Sequence, residues 1–184
     1  MPYQPRYKVT IGMVRLLGKM ESAREIVEGL NLPIDIEHGF RQDASARMTH
    51  YSTKIEGNQL TLKQTKELLE GHEVLARDID KREVVNYYDC LDHIHRLSRA
   101  HQPITENTIK SLHTTLQRGI VKGKLRGDYR EAQNAIYDSA TRKPVYLPPE
   151  AKDILPLMRS FVAWLHHDRD THPVLMAGIA HYQF

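Results

Sequence analysis

Residues 37–58 run EHGFRQDASARMTHYSTKIEGN, and the reading of this stretch decides the fold class. Phe40, Ala44, Met48, Tyr51 and Ile55 recur every third or fourth position and fall on one stripe, opposite Arg41, Asp43 and Lys54. That is the period of an amphipathic helix, not the alternation of a strand, and it predicts a helix from about Glu37 to Ile55. The stretch closes at Glu56-Gly57-Asn58, where glycine can enter the left-handed conformation that ends a helix.

The same period extends in both directions. Upstream, Val14, Leu17, Met20, Ile26, Val27 and Leu30 predict a helix over residues 10–29, weakened by Gly12 and Gly18 and stopped by Gly29 with Pro33 beyond. Downstream, Thr61-Leu62-Lys63-Gln64 has the Thr-x-x-Gln form of a capping box and opens a short helix that Gly71 terminates. A long helix follows from Asp78 to about Arg99, with Val84, Tyr88, Leu91 and Ile94 inward. Thr105 caps another that runs to Gly119, with Ile109, Leu112 and Leu116 inward. Between Gly119 and Pro149 the period fails. Glycines and prolines punctuate two short β-prone pieces there, Asn134-Ala135-Ile136-Tyr137 and Val145-Tyr146-Leu147, which residues 138–143 can join as a hairpin. Helical period returns with Ile154, Met158, Phe161 and Leu165, and again after Thr171-His172-Pro173. The expected fold class is therefore mainly α, a helical domain carrying one small β-hairpin, with no internal repeat or Gly/Ser/Pro-rich linker.

Composition bounds the function. The 184 residues suffice for one ordinary domain or one with a small appendage. Hydrophobic residues at 40% and charged residues at 27% can bury a core, so a folded, soluble protein is expected. The 26 Lys+Arg against 23 Asp+Glu leave a net charge of +3, too small a surplus to support a nucleic-acid partner. Cys90 is the single cysteine and cannot close an intramolecular disulfide, which fits a reducing, cytoplasmic setting. The longest apolar run, Val174 to Ala180, is too short to cross a bilayer, and Met1 to Arg6 has no apolar signal core, so no membrane role is expected.

Several clusters invite a chemical reading. Gly119-Ile120-Val121-Lys122-Gly123-Lys124 has the outline of a phosphate loop. It has one residue too few between the glycines, no Ser or Thr after the Lys, and follows a helix, so it is not one. Lys122, Lys124, Arg126 and Arg130 can touch phosphate or simply form a solvated basic loop. Asp89 and His93 stand one helical turn apart with His95 nearby, but there is no His-Glu-x-x-His and no second half-site, so no metal is expected. Cys90 reads as a buried inert thiol and Trp164 as core.

The segment Ser52-Thr53-Lys54-Ile55-Glu56-Gly57-Asn58 puts a carboxylate at a helix C-terminus, where the macrodipole disfavours negative charge, so a cationic partner elsewhere is expected. This segment resembles the inhibitory motif of Fic-family proteins, [ST]xxxE[GN], with Ser52 first, Glu56 the acid and Gly57 last. Other segments agree in order. Gly127-Asp128-Tyr129-Arg130, then Gln133 to Tyr137, then Val145-Tyr146-Leu147-Pro148-Pro149 are similar to the Fic flap hairpin and the Pro-Pro turn behind it. Ile154 to Leu165 and His172 to Phe184 resemble the two helices preceding the Fic active-site loop. No segment matches the loop itself, HxFx[DE]GN[GK]RxxR, and the apolar helical pattern reaches Phe184 without a C-cap. The expectation is a chain truncated just before that loop.

The resemblance implies a Fic-type fold, with an N-terminal region carrying the inhibitory helix over residues 1–75 and an incomplete Fic core over 76–184 that includes a flap at 126–149. It implies an autoinhibited protein adenylyltransferase, moving AMP from ATP to a protein hydroxyl, with ATP and Mg as cofactors of the complete enzyme. In this chain the chemistry-bearing residues, the metal-binding acid among them, are missing, so no catalytic residue and no metal ligand are assigned. Glu56 is implied as the inhibitory acid, competing with ATP for an arginine, with Ser52, Gly57 and Asn58 forming the helix end. Asn134, Ala135, Ile136 and Tyr137 are implied as the target-binding edge of the flap, and Ile136, Tyr137 and Asp138 as contacts to the adenosine side of ATP. The protein substrate is unspecified, and self-modification and an oligomer are left open. The other reading is a non-catalytic regulatory or interaction module of the family.

Overall fold

The structure is a computed structural model that describes residues 3–121 and 127–184. The basic positions Lys122, Lys124 and Arg126 of the rejected phosphate loop, and with them the first residue of the 126–149 flap, lie outside the described residues. Seven helices and one hairpin are described: α1 Ile11–Glu28, α2 Ile34–Ile55, α3 Leu62–Leu69, α4 Asp78–Arg99, α5 Glu106–Leu116, β1 Ile136–Tyr137, β2 Pro144–Tyr146, α6 Ala151–His167 and α7 Pro173–Gln183. The mainly helical expectation is met.

Helix ends follow local chemistry. Thr10 accepts from the Met13 amide to open α1. Thr61 and Gln64 form the full capping box of α3, and Thr105 with Thr108 makes the equivalent box for α5. At the end of α2, Gly57 adopts φ +96°. Its N–H donates to the Lys54 carbonyl at 3.0 Å while that of Asn58 donates to Thr53 at 3.1 Å, the paired bonds of a Schellman motif. Gly71 repeats that arrangement after α3 at φ +88°. Pro173 starts α7 behind His172, whose ring accepts from the Val174 amide.

Helix α4 is the spine of the molecule: α2 and α3 pack on it from one direction and α5 from another, and α6 joins through α5. Val84, in its second turn, is 0% exposed, with Ala46, Leu60, Val74 and Cys90 also buried. Burial pushes the Cys90 thiol above its ordinary value, and its S–H donates to the Leu112 carbonyl at 3.4 Å, which suits an inert core thiol. A second cluster forms where Tyr3 sets its ring edge against Phe161 and Trp164.

Two expectations about facing are corrected. The stripe Phe40, Met48, Tyr51 and Ile55 points outward, Ile55 being 84% exposed, and α2 buries Ala46, Thr49, His50 and Thr53 instead. These smaller side chains allow close approach to the neighbouring helices, and the threonine hydroxyls are satisfied within their own helix. Thr49 donates to the Ser45 carbonyl at 2.8 Å and Thr53 to that of Thr49 at 2.9 Å. On α4, Ile94 is exposed, and the buried positions beside Val84 are Asp80, Asn86 and Cys90. Asn86 is held there because its amide donates to the Leu116 and Arg118 carbonyls at 3.0 and 2.8 Å, closing the end of α5.

The hairpin pairs antiparallel, Ile136 opposite Tyr146 and Tyr137 opposite Pro144, with an irregularity between the two pairs. Asp138 organises its turn, its Oδ1 accepting from the amides of Ala140 and Thr141 at 3.1 and 2.6 Å. Among the described residues no helix is long and apolar enough to cross a membrane.

Candidate functional site

The end of α2 is fixed by α4. The Tyr87 hydroxyl donates to Ser52 Oγ at 2.9 Å. Asn58 is 4% exposed. Its amide donates to the Asp80 carbonyl at 2.9 Å and to Glu83 Oε2 at 2.8 Å, while its Oδ1 accepts from the Leu60 amide at 3.1 Å. Asp80 lies in the first turn of α4, where the helix dipole favours an acid, and Arg77 grips its carboxylate with two N–H groups at 2.7 and 2.8 Å. The Asp80 carboxylate in turn raises the Arg77 guanidinium above its ordinary value.

Between these two anchored residues stands Glu56, the C-cap of α2, with its side chain exposed. No Lys, Arg or His among the described residues forms an ion pair with it. Among the described residues this carboxylate therefore stands at the negative end of a helix dipole without an ion-pair partner, an electrostatically unfavourable position for an acid.

The hairpin is anchored separately. The Gly127 N–H donates to His113 Nδ1 at 2.9 Å, and the Tyr129 hydroxyl donates to Glu106 Oε2 at 3.2 Å with Lys110 over the ring. Arg130 donates to the carbonyls of Ala132 and Pro149, and Gln133 donates to that of Pro148, which ties the two ends of the flap together. Beyond this base Ile136 and Tyr137 are 57% and 60% exposed. Two strands make up the sheet, so β1 has an outer edge unpaired by any described strand. Asn134 is exposed and Ala135 half-buried. The amides of Thr141 and Ala140 and the Thr141 hydroxyl hold the Asp138 carboxyl below its usual range, so that group serves the turn.

The structure thus gathers Ser52, Glu56, Gly57 and Asn58 at one helix end on α4, and Asn134, Ala135, Ile136, Tyr137 and Asp138 on a hairpin rooted in α5. The residues that hold each group, Tyr87, Asp80 and Glu83 for the first and Glu106 and His113 for the second, carry no sequence signal. Their partners stand 14 to 35 positions away. Asp89, the one acid of the metal reading, is engaged by Arg118. Among the described residues no three His, Cys, Asp or Glu side chains cluster as a metal site.

Residues 103–184, from just before α5 through the hairpin to α7, match the family model described as the Fic/DOC family. Over those residues the chain is similar to the Fic family. The fold agrees across its length. It superposes on the crystal structure of a Fic family protein from Desulfovibrio desulfuricans G20 with a TM-score of 0.79 at 26% identity, covering 99% of this chain and 53% of that one. A Fic domain containing signaling protein from Bacteroides thetaiotaomicron VPI-5482 gives 0.73 at 23% identity, covering 92% and 62%, and speaks for the fold alone. Among curated relatives, the proteins named protein adenylyltransferase Fic of Drosophila melanogaster and Drosophila yakuba are each 27% identical over 173 residues. That alignment takes in 92% of this chain and 34% or 33% of theirs, so the chain spans about a third of their length. The Ser52 to Asn58 segment lies N-terminal to the residues matched by the family model.

Proposed function

We propose that this chain supplies the inhibitory helix end and the target-binding flap of a cytoplasmic protein adenylyltransferase, which transfers AMP from ATP to a protein hydroxyl. The observation that carries this reading is Glu56, exposed at a helix C-cap and unpaired among the described residues, between two anchored neighbours. A bidentate arginine–carboxylate pair is strong and directional. A guanidinium held by Glu56 is unavailable to an ATP phosphate, and withdrawal of Glu56 releases it.

The flap serves the target. An extended peptide adds to the free edge at Asn134 to Tyr137 through main-chain hydrogen bonds, which depend little on its side chains. The exposed side chains of Ile136 and Tyr137 offer apolar contact to the adenosine part of ATP, with Asp138 beside them.

Labelled-AMP transfer tests the reading. The 184-residue chain alone is expected to be silent, and labelling by it would overturn the absence of the chemistry-bearing residues. With a family HxFx[DE]GN[GK]RxxR segment fused after Phe184, Glu56→Gly should raise ATP affinity and self-labelling by about tenfold or more, the worth of one charged hydrogen-bonded pair. Equal ATP binding with and without the substitution would remove Glu56 from the inhibitory role. A fusion silent in both forms would favour the non-catalytic regulatory module.

A further inference from the structure

We infer that Tyr87, on a different helix from the inhibitory motif, is a positioning residue for Glu56, so that α4 sets where the inhibitory carboxylate stands. The inference rests on the reading of Glu56 given above. Its basis is how the end of α2 is held. The Schellman bonds from Gly57 and Asn58 close the helix but are local to it, and they fix nothing relative to the rest of the molecule. The large side chains of the last turns, Tyr51 and Ile55, point outward and contribute little to holding the end. Buried Thr53 packs the helix end inward without a hydrogen bond beyond α2, and among the described residues the side-chain hydrogen bonds from the motif to α4 are Tyr87 to Ser52 on one flank of Glu56 and Asn58 to Asp80 and Glu83 on the other.

The two ties differ in kind. Asn58 is buried, and its amide binds both a backbone carbonyl and a carboxylate, so removing it strands polar groups in the core and affects folding. The Tyr87 bond joins two half-buried hydroxyls, and Tyr87→Phe deletes a single oxygen without opening the core. That makes it the separable control on Glu56. Ser52 enters through its hydroxyl as acceptor, which threonine retains and alanine does not.

The test has two arms. In the 184-residue chain, amide hydrogen exchange at Gly57 and Asn58 should quicken about fivefold in Tyr87→Phe and in Ser52→Ala, the factor one neutral hydrogen bond is worth, and stay at the parent rate in Ser52→Thr. Unchanged exchange in Tyr87→Phe would overturn the inference whatever Glu56 does. In the loop-bearing fusion, Tyr87→Phe should raise AMP labelling about fivefold when Glu56 is present and leave it unchanged in the Glu56→Gly background. A general loosening of the fold would act equally in both backgrounds. Should Glu56→Gly raise labelling while Tyr87→Phe does not, the inference fails and the inhibitory role of Glu56 stands. Should Glu56→Gly itself have no effect, the inhibitory reading fails and Tyr87 positions no inhibitor.

Discussion

The phenol of Tyr129 donates to Glu106 at 3.2 Å, and Arg159 reaches the other oxygen of that carboxylate at 3.5 Å, so one acid at the start of α5 ties the flap base to α6. Burial, and then the Glu106 charge, push the Tyr129 hydroxyl up from 10.0 to about 12. The native value lies above the unfolded one, so the fold favours the neutral phenol. Its contribution is complete below pH 10 and is lost as pH rises through about 12. A phenolate absorbance titration should show an ionisation near pH 12 that Tyr129→Phe removes, together with a shallower alkaline loss of stability in the variant. An unchanged titration would show that Tyr129 is not the late-ionising group.

Gly127, two residues before that tyrosine, takes φ +79°, and a Cβ added there would clash with Thr114 Oγ1 and stand 3.1 Å from the Lys110 carbonyl. The threonine is committed to that same carbonyl at 2.8 Å, and the carbonyl belongs to the α5 backbone, so neither yields cheaply. Gly127→Ala should therefore cost at least about 1–2 kcal/mol from the left-handed conformation alone and break the bond to His113. Limited proteolysis should then cut between Tyr129 and Pro149 faster than in the parent. Equal cleavage and an equal denaturation midpoint would mean the flap is not anchored at this glycine.

What the sequence made legible was local. The glycine ends of α2 and α3, the Thr61–Gln64 box and the Pro173 start depend on residues within six positions of one another, and each lies where the pattern put it. The facing of α2 was not legible. Its apolar stripe is real, but burial follows the fit to α3 and α4, which the small, self-satisfied Thr49 and Thr53 meet better than Phe40 and Ile55 do. The candidate site divides the same way. Its motif residues could be named from one short segment and its flap from another, whereas Tyr87 and Glu106 became visible only once the chain had folded back on itself.

Trp164, the single tryptophan, reports on acid stability. Its indole N–H donates to Asp168 Oδ2 at 3.0 Å, and the same carboxylate accepts from the amides of Thr171 and Asp170 and from the Thr171 hydroxyl in the turn before α7. The Thr171 amide and hydroxyl, in that order, hold the Asp168 carboxyl below its ordinary 3.8. The depressed native value means the contribution is present above the unfolded value and is lost as pH falls through the native one. Tryptophan emission should shift in that acid window, and Asp168→Asn should abolish the step. A step that persists in the variant would assign it to another carboxylate.

His101 closes α4 in the same way that Gly57 closes α2, its amide donating to the Ser98 carbonyl and that of Gln102 to Leu97, but it does so at φ +50° with a full side chain. A non-glycine residue in the left-handed region is held there against a cost of about 1–2 kcal/mol, part of which glycine's greater freedom in the unfolded chain offsets. Because α4 carries both α2 and α5, relief of that cost should reach the whole domain. His101→Gly is expected to raise the stability of the chain by about 1 kcal/mol, read as a higher denaturant midpoint at unchanged slope. An unchanged or lower midpoint would mean the imidazole makes a compensating contribution at the end of the helix.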